Sequence, residues 1–155
     1  MTVRLQPGDE APAFALVDQR GETVRLEDFR GRTLLVYFYP EADTTGCTKQ
    51  SCAIRDHRQD LRDLDVDVVG ISPDEPAKQL AFDEKYSLGF PLLSDRGHAV
   101  ADAWGAWGWK TYGSTTYEGI IRSSFLVGPD GRIERAWYRV KPEDTVPNAL
   151  DALAA

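Results

Sequence analysis

The stretch that decides the fold is Leu34-Leu-Val-Tyr-Phe-Tyr-Pro-Glu-Ala-Asp-Thr-Thr-Gly-Cys47. Its first six residues form a nearly continuous apolar run, which predicts a strand, 33–39, that is covered on both faces of a sheet. A proline and a short polar loop then lead into a helix that we expect to begin at Thr45. The stretch is therefore predicted to fold as a strand, a loop and a helix N-terminus, with Cys47 in the first helical turn.

This position predicts a reactive sulfur at Cys47. The first turn of a helix carries backbone N–H groups without intrahelical partners and the positive end of the helix dipole, and both favour an anion. A cysteine placed there is expected to be a thiolate more often than a free cysteine, and the thiolate is the nucleophile. Cys52, the only other cysteine, lies five residues further on and is a candidate partner for that sulfur. Taken alone, a cysteine at the position of Cys52 is more often a packing residue on a helix.

Three further residues are candidates for the same site. Proline fixes φ and lacks an N–H, so Pro40 can shape the loop and shield the sulfur from water. The Thr44 hydroxyl can both donate and accept, so it can orient an oxygen-containing ligand. Arg122 precedes a predicted strand and would supply a permanent cation with several fixed donors, although an ordinary salt bridge would also explain it. Together these residues suit attack by sulfur on a small electrophile.

Length and composition limit the class of protein. A chain of 155 residues predicts a single domain, 1–155, with a hydrophobic core. The net charge of −7, without a Lys/Arg cluster, argues against a nucleic-acid partner. No apolar run approaches the roughly 20 residues that span a bilayer, and the N-terminus lacks the apolar segment of a signal peptide. We therefore expect no membrane association and a cytoplasmic location.

A close cysteine pair has a restricted set of uses in the cytoplasm. Thiols there are kept reduced, so such a pair is more often catalytic, redox-sensing or metal-binding than a structural disulfide. A zinc site is disfavoured because Cys-x4-Cys on one helix has the wrong spacing for two ligands. The two histidines, His57 and His98, are expected to be surface or hydrogen-bonded residues.

Strands alternate with helices along the rest of the chain, and a hairpin follows near the end. This pattern predicts an α/β fold with helices packed around a mixed sheet. The segment 105–119, rich in Gly, Trp, Thr and Tyr, is predicted to be a long surface segment. The other predicted elements are a small hairpin of 14–17 and 23–26, a helix 45–64 that buries Ile54, Leu61 and Leu64, a strand 66–71, a helix capped by Ser72 and ending near Tyr86, a strand 90–93, a helix 99–104, a hairpin of 123–127 and 132–138, and a closing helix 146–153.

The run from Tyr37 to Cys52 resembles the active-site region of peroxiredoxins, in particular the peroxiredoxin Q group, also called bacterioferritin comigratory proteins. The resemblance covers nearly the whole chain. It also includes Gly8-Asp-Glu-Ala-Pro-Ala-Phe14, Val69-Gly-Ile-Ser-Pro-Asp74, Phe90-Pro-Leu-Leu-Ser-Asp95 and Gly119-Ile-Ile-Arg-Ser-Ser-Phe125. It implies a thioredoxin-like fold, with a central mixed sheet flanked by helices and an N-terminal β-hairpin extension.

The resemblance also implies a chemistry, that of a thiol-dependent peroxidase acting on hydrogen peroxide and organic hydroperoxides. Cys47 would be the peroxidatic cysteine and Cys52 the resolving one. Thr44 and Arg122 would activate the peroxide, and Pro40 would shield the sulfur. A Cys47–Cys52 disulfide would be recycled by thioredoxin or a glutaredoxin. No metal, haem or flavin cofactor is implied, and a monomer is expected.

Three alternatives stay open at this point. The first is a disulfide oxidoreductase, although that function usually carries Cys-x-x-Cys, which this sequence lacks. The second is a redox-regulated chaperone or signalling module, in which cysteine oxidation switches a binding surface. The third is a one-cysteine peroxidase in which Cys52 serves only in packing.

Overall fold

The computed structural model describes residues 4–154. Residues 1–3 and 155 lie outside the described residues. They are the two ends of the predicted 1–155 domain, and 1–3 also belong to the N-terminus considered above for a signal peptide. Strands and helices alternate over most of this length. The strands are β1 (Ala15–Val17), β2 (Thr23–Arg25), β3 (Thr33–Phe38), β4 (Val66–Ser72), β5 (Leu92–Ser94), β6 (Trp107–Tyr112), β7 (Thr115–Ile120), β8 (Ser123–Val127) and β9 (Ile133–Trp137). The helices are α1 (Thr45–Asp56), α2 (Arg58–Asp63), α3 (Pro76–Tyr86), α4 (Ala99–Ala103) and α5 (Thr145–Ala154), with short 3-10 helices at Leu26–Phe29 and Pro142–Asp144.

The central sheet has five strands in the order β5-β4-β3-β8-β9. Its middle strand, β3, runs parallel to β4 and antiparallel to β8, so the predicted mixed sheet is confirmed. Alternate residues of β3 point into two hydrophobic clusters, one on each face of the sheet. Leu35 and Tyr37 lie in the cluster that also contains residues of α1, α2, α3 and α5, whereas Val36 lies in the other. Burial on both faces explains why this strand is apolar along its whole length.

Two smaller sheets lie outside the central one. The pair β1-β2 is antiparallel and confirms the predicted N-terminal hairpin. The pair β6-β7 is a second antiparallel hairpin, with Trp107 opposite Ile120 at its base and Tyr112 opposite Thr115 near its tip. The segment 105–119 was predicted to be a long surface segment, without strands. It is largely exposed, but its backbone is regular because each strand supplies the hydrogen-bond partners of the other.

The predicted helix 45–64 is wrong in its length. The chain forms two helices, and His57 between them leaves helical geometry with φ −106° and ψ 12°. The His57 ring also hydrogen-bonds to the Ala53 carbonyl, with Nδ1 3.0 Å from that oxygen. Leu61 lies inside α2 and is fully buried, whereas Leu64, predicted to share its face, follows the end of that helix and is 48% exposed.

The predicted start of the next helix is also displaced. Ser72 is the last residue of β4 rather than a helix cap, and α3 begins at Pro76 after Glu75. The Ser72 hydroxyl instead donates to the Asp74 carboxylate at 2.7 Å and accepts from the Gln79 amide at 2.8 Å. The proline in the first turn is therefore Pro76, where its missing N–H leaves no intrahelical bond unmade.

Strand pairing places the start of β8 beside the end of β3. In the antiparallel register, Phe38 is opposite Ser123, so the residue before Ser123 lies next to the loop that follows β3. That residue is Arg122, and the loop leads directly to Cys47. Two parts of the chain that are 75 residues apart are thus brought to one edge of the sheet.

Candidate active site

Cys47 lies in the first turn of α1, as predicted. The helix begins after Thr44, whose extended backbone (φ −90°, ψ 160°) is typical of an N-cap residue, and no side chain of the described residues caps the helix start. The Cys47 side chain is only 1% exposed and belongs to the cluster that covers one face of β3. The sulfur therefore combines a helix N-terminus with near-complete shielding from solvent, and both the dipole and the uncapped N–H groups favour an anion there.

Arg122 supplies the cation predicted for this site. Its Nη2 donates to Cys47 Sγ at 3.2 Å. Gly46 allows this approach, because a Cβ at that position would lie 3.3 Å from both Arg122 Nη2 and Pro142 Cγ. The backbone carbonyl of Arg122 accepts from Val140 N at 3.0 Å, which fixes the segment that carries the guanidinium. A fixed positive charge at hydrogen-bond distance from sulfur stabilises the thiolate relative to the thiol.

Gln50 is a member of the site that the sequence analysis did not identify. Its side chain is completely buried, and its Oε1 accepts from Arg122 Nη1 at 2.5 Å. Its Nε2 donates to the hydroxyl of Thr145, which is also fully buried, at 2.8 Å. The chain Thr145–Gln50–Arg122 therefore holds the guanidinium with its second nitrogen aimed at Cys47. The sequence did contain an indication of this role. Gln50 lies three residues after Cys47 and hence on the same side of α1. A polar residue on a buried helix face needs a hydrogen-bond partner.

Thr44 and Pro40 lie in the loop that precedes α1. The Thr44 side chain is exposed, and its Oγ1 donates to the Glu41 carbonyl at 2.9 Å. It therefore does not bond to Cys47 Sγ, but its oxygen keeps lone pairs to accept a donor. Pro40 is half-buried and follows Tyr39, which is completely buried at the end of β3. The structure thus places both predicted residues in the loop next to Cys47, and the hydroxyl of Thr44 bonds to the loop backbone rather than to the sulfur.

The loop itself is tied to α3 by several bonds. Ala42 N donates to the Asp74 carboxylate at 2.7 Å. Asp43, which has a left-handed backbone (φ 62°), accepts from Lys85 Nζ at 2.9 Å and from the Tyr86 hydroxyl at 2.8 Å. These two bonds lower the pKa of the Asp43 carboxyl, so it is ionised at neutral pH. The loop before Cys47 is therefore held by both backbone and side-chain contacts.

Cys52 lies two turns from the start of the same helix. It is half-buried, packs against the cluster that contains Cys47, and is a free thiol, as is Cys47. Next to it, Ser51 shares a hydrogen bond of 2.8 Å with the Tyr37 hydroxyl, which attaches α1 to β3. Burial raises the pKa of Tyr37 well above its ordinary value, so this hydroxyl keeps its proton. Both cysteines therefore sit on one helix that is anchored to the central strand through Ser51.

A second cation interacts electrostatically with the site. Lys110, in the middle of β6, is half-buried, and its charge lies within electrostatic range of Arg122, Arg139 and Cys47. Partial burial, followed by the positive charge of Arg122, lowers the pKa of Lys110, whereas the Cys47 charge opposes that shift. The sequence analysis did not identify Lys110, because its place depends on the pairing of β6 with β7.

Within residues 4–154, no three His, Cys, Asp or Glu side chains come together as a potential metal site. None of the helices in that range is long and apolar enough to cross a membrane.

With this geometry in place, comparison with known proteins gives the class of protein. The chain belongs to the AhpC/TSA family, whose model matches residues 7–136. A putative peroxiredoxin of Mycobacterium tuberculosis H37Rv is 52% identical over 140 residues, which are 90% of this chain and 89% of that protein. The peroxiredoxin Bcp of Escherichia coli K12 is 51% identical over 133 residues, 86% of this chain and 85% of the relative.

Solved structures agree with the sequence relatives. A bacterioferritin comigratory protein of Xanthomonas campestris, studied for its alkyl peroxide reduction activity, superposes with a TM-score of 0.87 at 27% identity, over 99% of this chain and 98% of that one. The peroxidoxin BcpB of Mycobacterium tuberculosis gives a TM-score of 0.86 at 29% identity, over 97% of each chain. The thioredoxin-like fold and the peroxiredoxin resemblance are thereby confirmed. The chain is a thiol peroxidase, with a peroxide as substrate and a thiol as reductant.

Proposed function

We propose that Cys47 is the peroxidatic cysteine and that it reduces hydrogen peroxide and organic hydroperoxides. The observation that carries this assignment is the 3.2 Å contact between Arg122 Nη2 and Cys47 Sγ at the N-terminus of α1. The thiolate attacks the terminal peroxide oxygen, a sulfur–oxygen bond forms and the oxygen–oxygen bond breaks. Cys47 becomes a sulfenic acid, and the other oxygen leaves with a proton as water or an alcohol.

The surrounding residues are proposed to stabilise the negative charge that moves during this step and to keep water away from it. As the oxygen–oxygen bond breaks, charge passes from sulfur to the leaving oxygen, and Arg122 has donors for both atoms. The Thr44 hydroxyl, on rotation away from the Glu41 carbonyl, is placed to bond to the bound peroxide. Pro40, half-buried in the same loop, restricts its backbone and keeps water from the sulfur.

Cys52 is the proposed resolving cysteine. Its thiol attacks the Cys47 sulfenic acid, a disulfide forms and water leaves. In an intact helix, residues five apart rise about 7.5 Å and turn by about 140°, which separates their Cα atoms by about 8.7 Å. A disulfide tolerates roughly 7 Å at most. The first turns of α1 must therefore open before the two sulfurs can bond.

A dithiol protein is the proposed reductant. Its thiolate attacks one sulfur of the Cys47–Cys52 disulfide to give a mixed disulfide, and its second thiol releases the reduced enzyme. Thioredoxin or a glutaredoxin fits this role. We further propose that the chain works as a single-domain monomer in the cytoplasm, where such reductants are kept reduced. Size-exclusion chromatography of the reduced protein tests the monomer.

One experiment tests the central proposal. Peroxide consumption is followed with a thioredoxin system for the wild type, Cys47→Ser and Cys52→Ser. We expect Cys47→Ser to abolish turnover, and Cys52→Ser to lose turnover with thioredoxin while still reacting once with peroxide. Full activity of Cys47→Ser would refute the assignment of the peroxidatic cysteine.

A one-cysteine peroxidase is the second candidate, and the position of Cys52 favours it to some degree. Cys52 packs against the core cluster, which is the expected behaviour of a structural cysteine. In that case Cys52→Ser would keep wild-type turnover with an external thiol, and its oxidised form would be a sulfenic acid rather than an intramolecular disulfide. The same set of variants therefore decides between the two mechanisms.

A further inference from the structure

The hairpin formed by β6 and β7 carries an unusual share of the exposed apolar surface. Five large hydrophobic side chains are exposed among residues 4–154, and three of them lie on this hairpin. Trp109 is 62% exposed, Tyr112 is 80% exposed and Tyr117 is 41% exposed. Aromatic side chains with a polar tip are enriched at protein interfaces, and a group of them on one short element indicates a contact surface rather than chance exposure.

The two faces of the hairpin differ in what they approach. Lys110 is opposite Tyr117, and Tyr112 lies two residues along, so these three side chains share one face. Lys110 Nζ lies 5.8 Å from the centre of the Tyr117 ring, and its charge reaches Cys47 and Arg122. The hairpin ends at Ile120, two residues before Arg122, whose Nη2 contacts Cys47 Sγ, so it lies beside the site. Trp109 lies on the opposite face, together with Trp107, whose ring stacks on His98 at 3.7 Å.

Three basic residues lie on or beside the hairpin of a chain whose net charge is −7. Lys110 lies within electrostatic range of Arg122 and of Arg139. None of the three forms an ion pair with a carboxylate of the described residues. Arg139 contacts the hairpin itself through the Trp109 carbonyl, at 3.4 Å. Basic side chains and exposed tyrosines therefore occur together on and beside the hairpin that leads into Arg122.

From these observations we propose that the face of the β6-β7 hairpin formed by Lys110, Tyr112 and Tyr117 is the docking surface for the dithiol protein that reduces this enzyme. The proposal rests on the peroxidase cycle proposed above. The partner has an acidic surface with an apolar rim around its dithiol. The tyrosine rings pack on that rim, and Lys110 attracts its carboxylates. A partner thiolate then attacks one sulfur of the Cys47–Cys52 disulfide, a mixed disulfide forms and the other sulfur leaves as a thiolate. The second thiol of the partner releases the reduced enzyme.

The test separates docking from chemistry. Peroxide turnover is measured twice, with a purified acidic bacterial thioredoxin kept reduced by its reductase and NADPH, and with dithiothreitol, which needs no docking surface. The variant is Tyr112→Ala/Tyr117→Ala. The matched control is Trp109→Ala, which removes an exposed aromatic ring from the other face of the same hairpin. Tyr117→Phe keeps the ring and removes the hydroxyl, so it shows whether packing of the ring or hydrogen bonding of the hydroxyl contributes to docking.

We expect kcat/KM for thioredoxin to fall about tenfold or more in the double variant, since truncation of aromatic residues at the centre of an interface has effects of this size. The double variant should keep wild-type turnover with dithiothreitol. Trp109→Ala and Tyr117→Phe should keep kcat/KM for thioredoxin near the wild-type value. Added salt should lower kcat/KM for thioredoxin, because it screens the charges that steer association, and should leave the dithiothreitol reaction unchanged.

Other outcomes overturn the proposal. Unchanged kcat/KM for thioredoxin in the double variant would show that the partner docks elsewhere. An equal loss with dithiothreitol would mean that the tyrosines support the peroxide step. A change in oligomeric state instead of a kinetic change would mean that a second copy of the chain covers this face. Absence of wild-type turnover with either reductant would refute the peroxidase cycle itself, which distinguishes that failure from the failure of docking.

Discussion

At the scale of single residues, the site depends on how one guanidinium is held. Arg122 is half-buried, with one nitrogen on Cys47 Sγ and another on Gln50. The guanidinium is planar, so fixing one of its edges on Gln50 also fixes the direction of the other. The cation is therefore oriented toward the sulfur rather than merely near it.

Substitution of Arg122 should separate charge from geometry. We expect Arg122→Met to slow the reaction with peroxide by about 10²-fold, the scale of losing one donor that stabilises transition-state charge. Arg122→Lys should restore only part of the rate, because an ammonium lacks the planar fork. The second-order rate of oxidation by hydrogen peroxide measures both. Arg32→Met is the control, since Arg32 pairs with Asp67 at the opposite end of the sheet. Near-normal oxidation of Arg122→Met would show that another group stabilises the charge.

Gln50 is predicted to be a positioning residue. Gln50→Leu should slow oxidation by peroxide about tenfold, because Arg122 loses its fixed partner, and should lower the free energy of unfolding by about 1–3 kcal/mol, because Thr145 loses its partner as well. Gln79→Leu is a matched control: Gln79 is also fully buried, and it bonds to Tyr39, Ser72 and Leu93 rather than to Arg122.

Two measurements are needed for this comparison, urea denaturation and the rate of peroxide reduction. Both glutamine variants should lose stability, and only Gln50→Leu should lose rate. Equal effects on rate would mean that Gln50 acts through general stability and not through Arg122.

At the scale of elements, the proposed cycle places two opposing demands on α1. Its N-terminus must be formed to stabilise a Cys47 thiolate, and its first turns must be open for Cys52 to reach that sulfur. The Tyr37–Ser51 bond and the burial of Gln50 and Ile54 hold the formed state. A helix that exists in two states satisfies both demands, with each oxidation state of the cysteines favouring one of them.

Hydrogen exchange should reveal these two states. In the reduced protein, we expect amides from Cys47 to Arg55 to be protected, because α1 is intact. In the disulfide form the same amides should exchange faster, since the cross-link cannot form within a regular helix. The amides of β3 serve as the internal control and should keep their protection. Equal protection of 47–55 in both forms would contradict the opening of the helix and remove Cys52 as the resolving partner.

At the scale of the whole molecule, the site depends on close packing between β3 and β4. Gly70 on β4 lies opposite Tyr37 on β3, and a Cβ at Gly70 would lie 2.8 Å from the Tyr37 ring. The same ring reaches Ser51 on α1 through its hydroxyl. Because Gly70 has no side chain, the Tyr37 ring fits against β4, and its hydroxyl can attach α1 to the sheet.

Gly70→Ala should therefore be strongly destabilising for so small a change. The added methyl group displaces the Tyr37 ring in a closely packed core, and overpacking of this kind costs about 1–3 kcal/mol. A lower urea midpoint at constant m-value is the expected result. Gly97→Ala is the control, because nothing lies within 4 Å of a Cβ there. Similar midpoints for the two variants would mean that Tyr37 can move freely, and that its bond to Ser51 matters little.

Much of the fold and part of the site could be predicted from local sequence patterns. The apolar run before Pro40 defined the central strand, and the loop after it placed Cys47 at a helix start. Local patterns failed where the outcome depended on partners elsewhere. The segment 105–119 has no strong alternation, so its hairpin was missed, and the break at His57 depends on a ring–backbone bond that no periodicity signals.

Local sequence was enough to predict the strand, the loop, the helix start and a cysteine in its first turn, since these follow from burial patterns and backbone preferences of neighbouring residues. Only the tertiary structure decided what surrounds that sulfur. The register of β8 on β3 brings Arg122 to Cys47, and the position of α5 brings Thr145 to Gln50. Contacts of this kind depend on strand order, register and side-chain direction, which are set by the packing of the whole chain and not by any one segment.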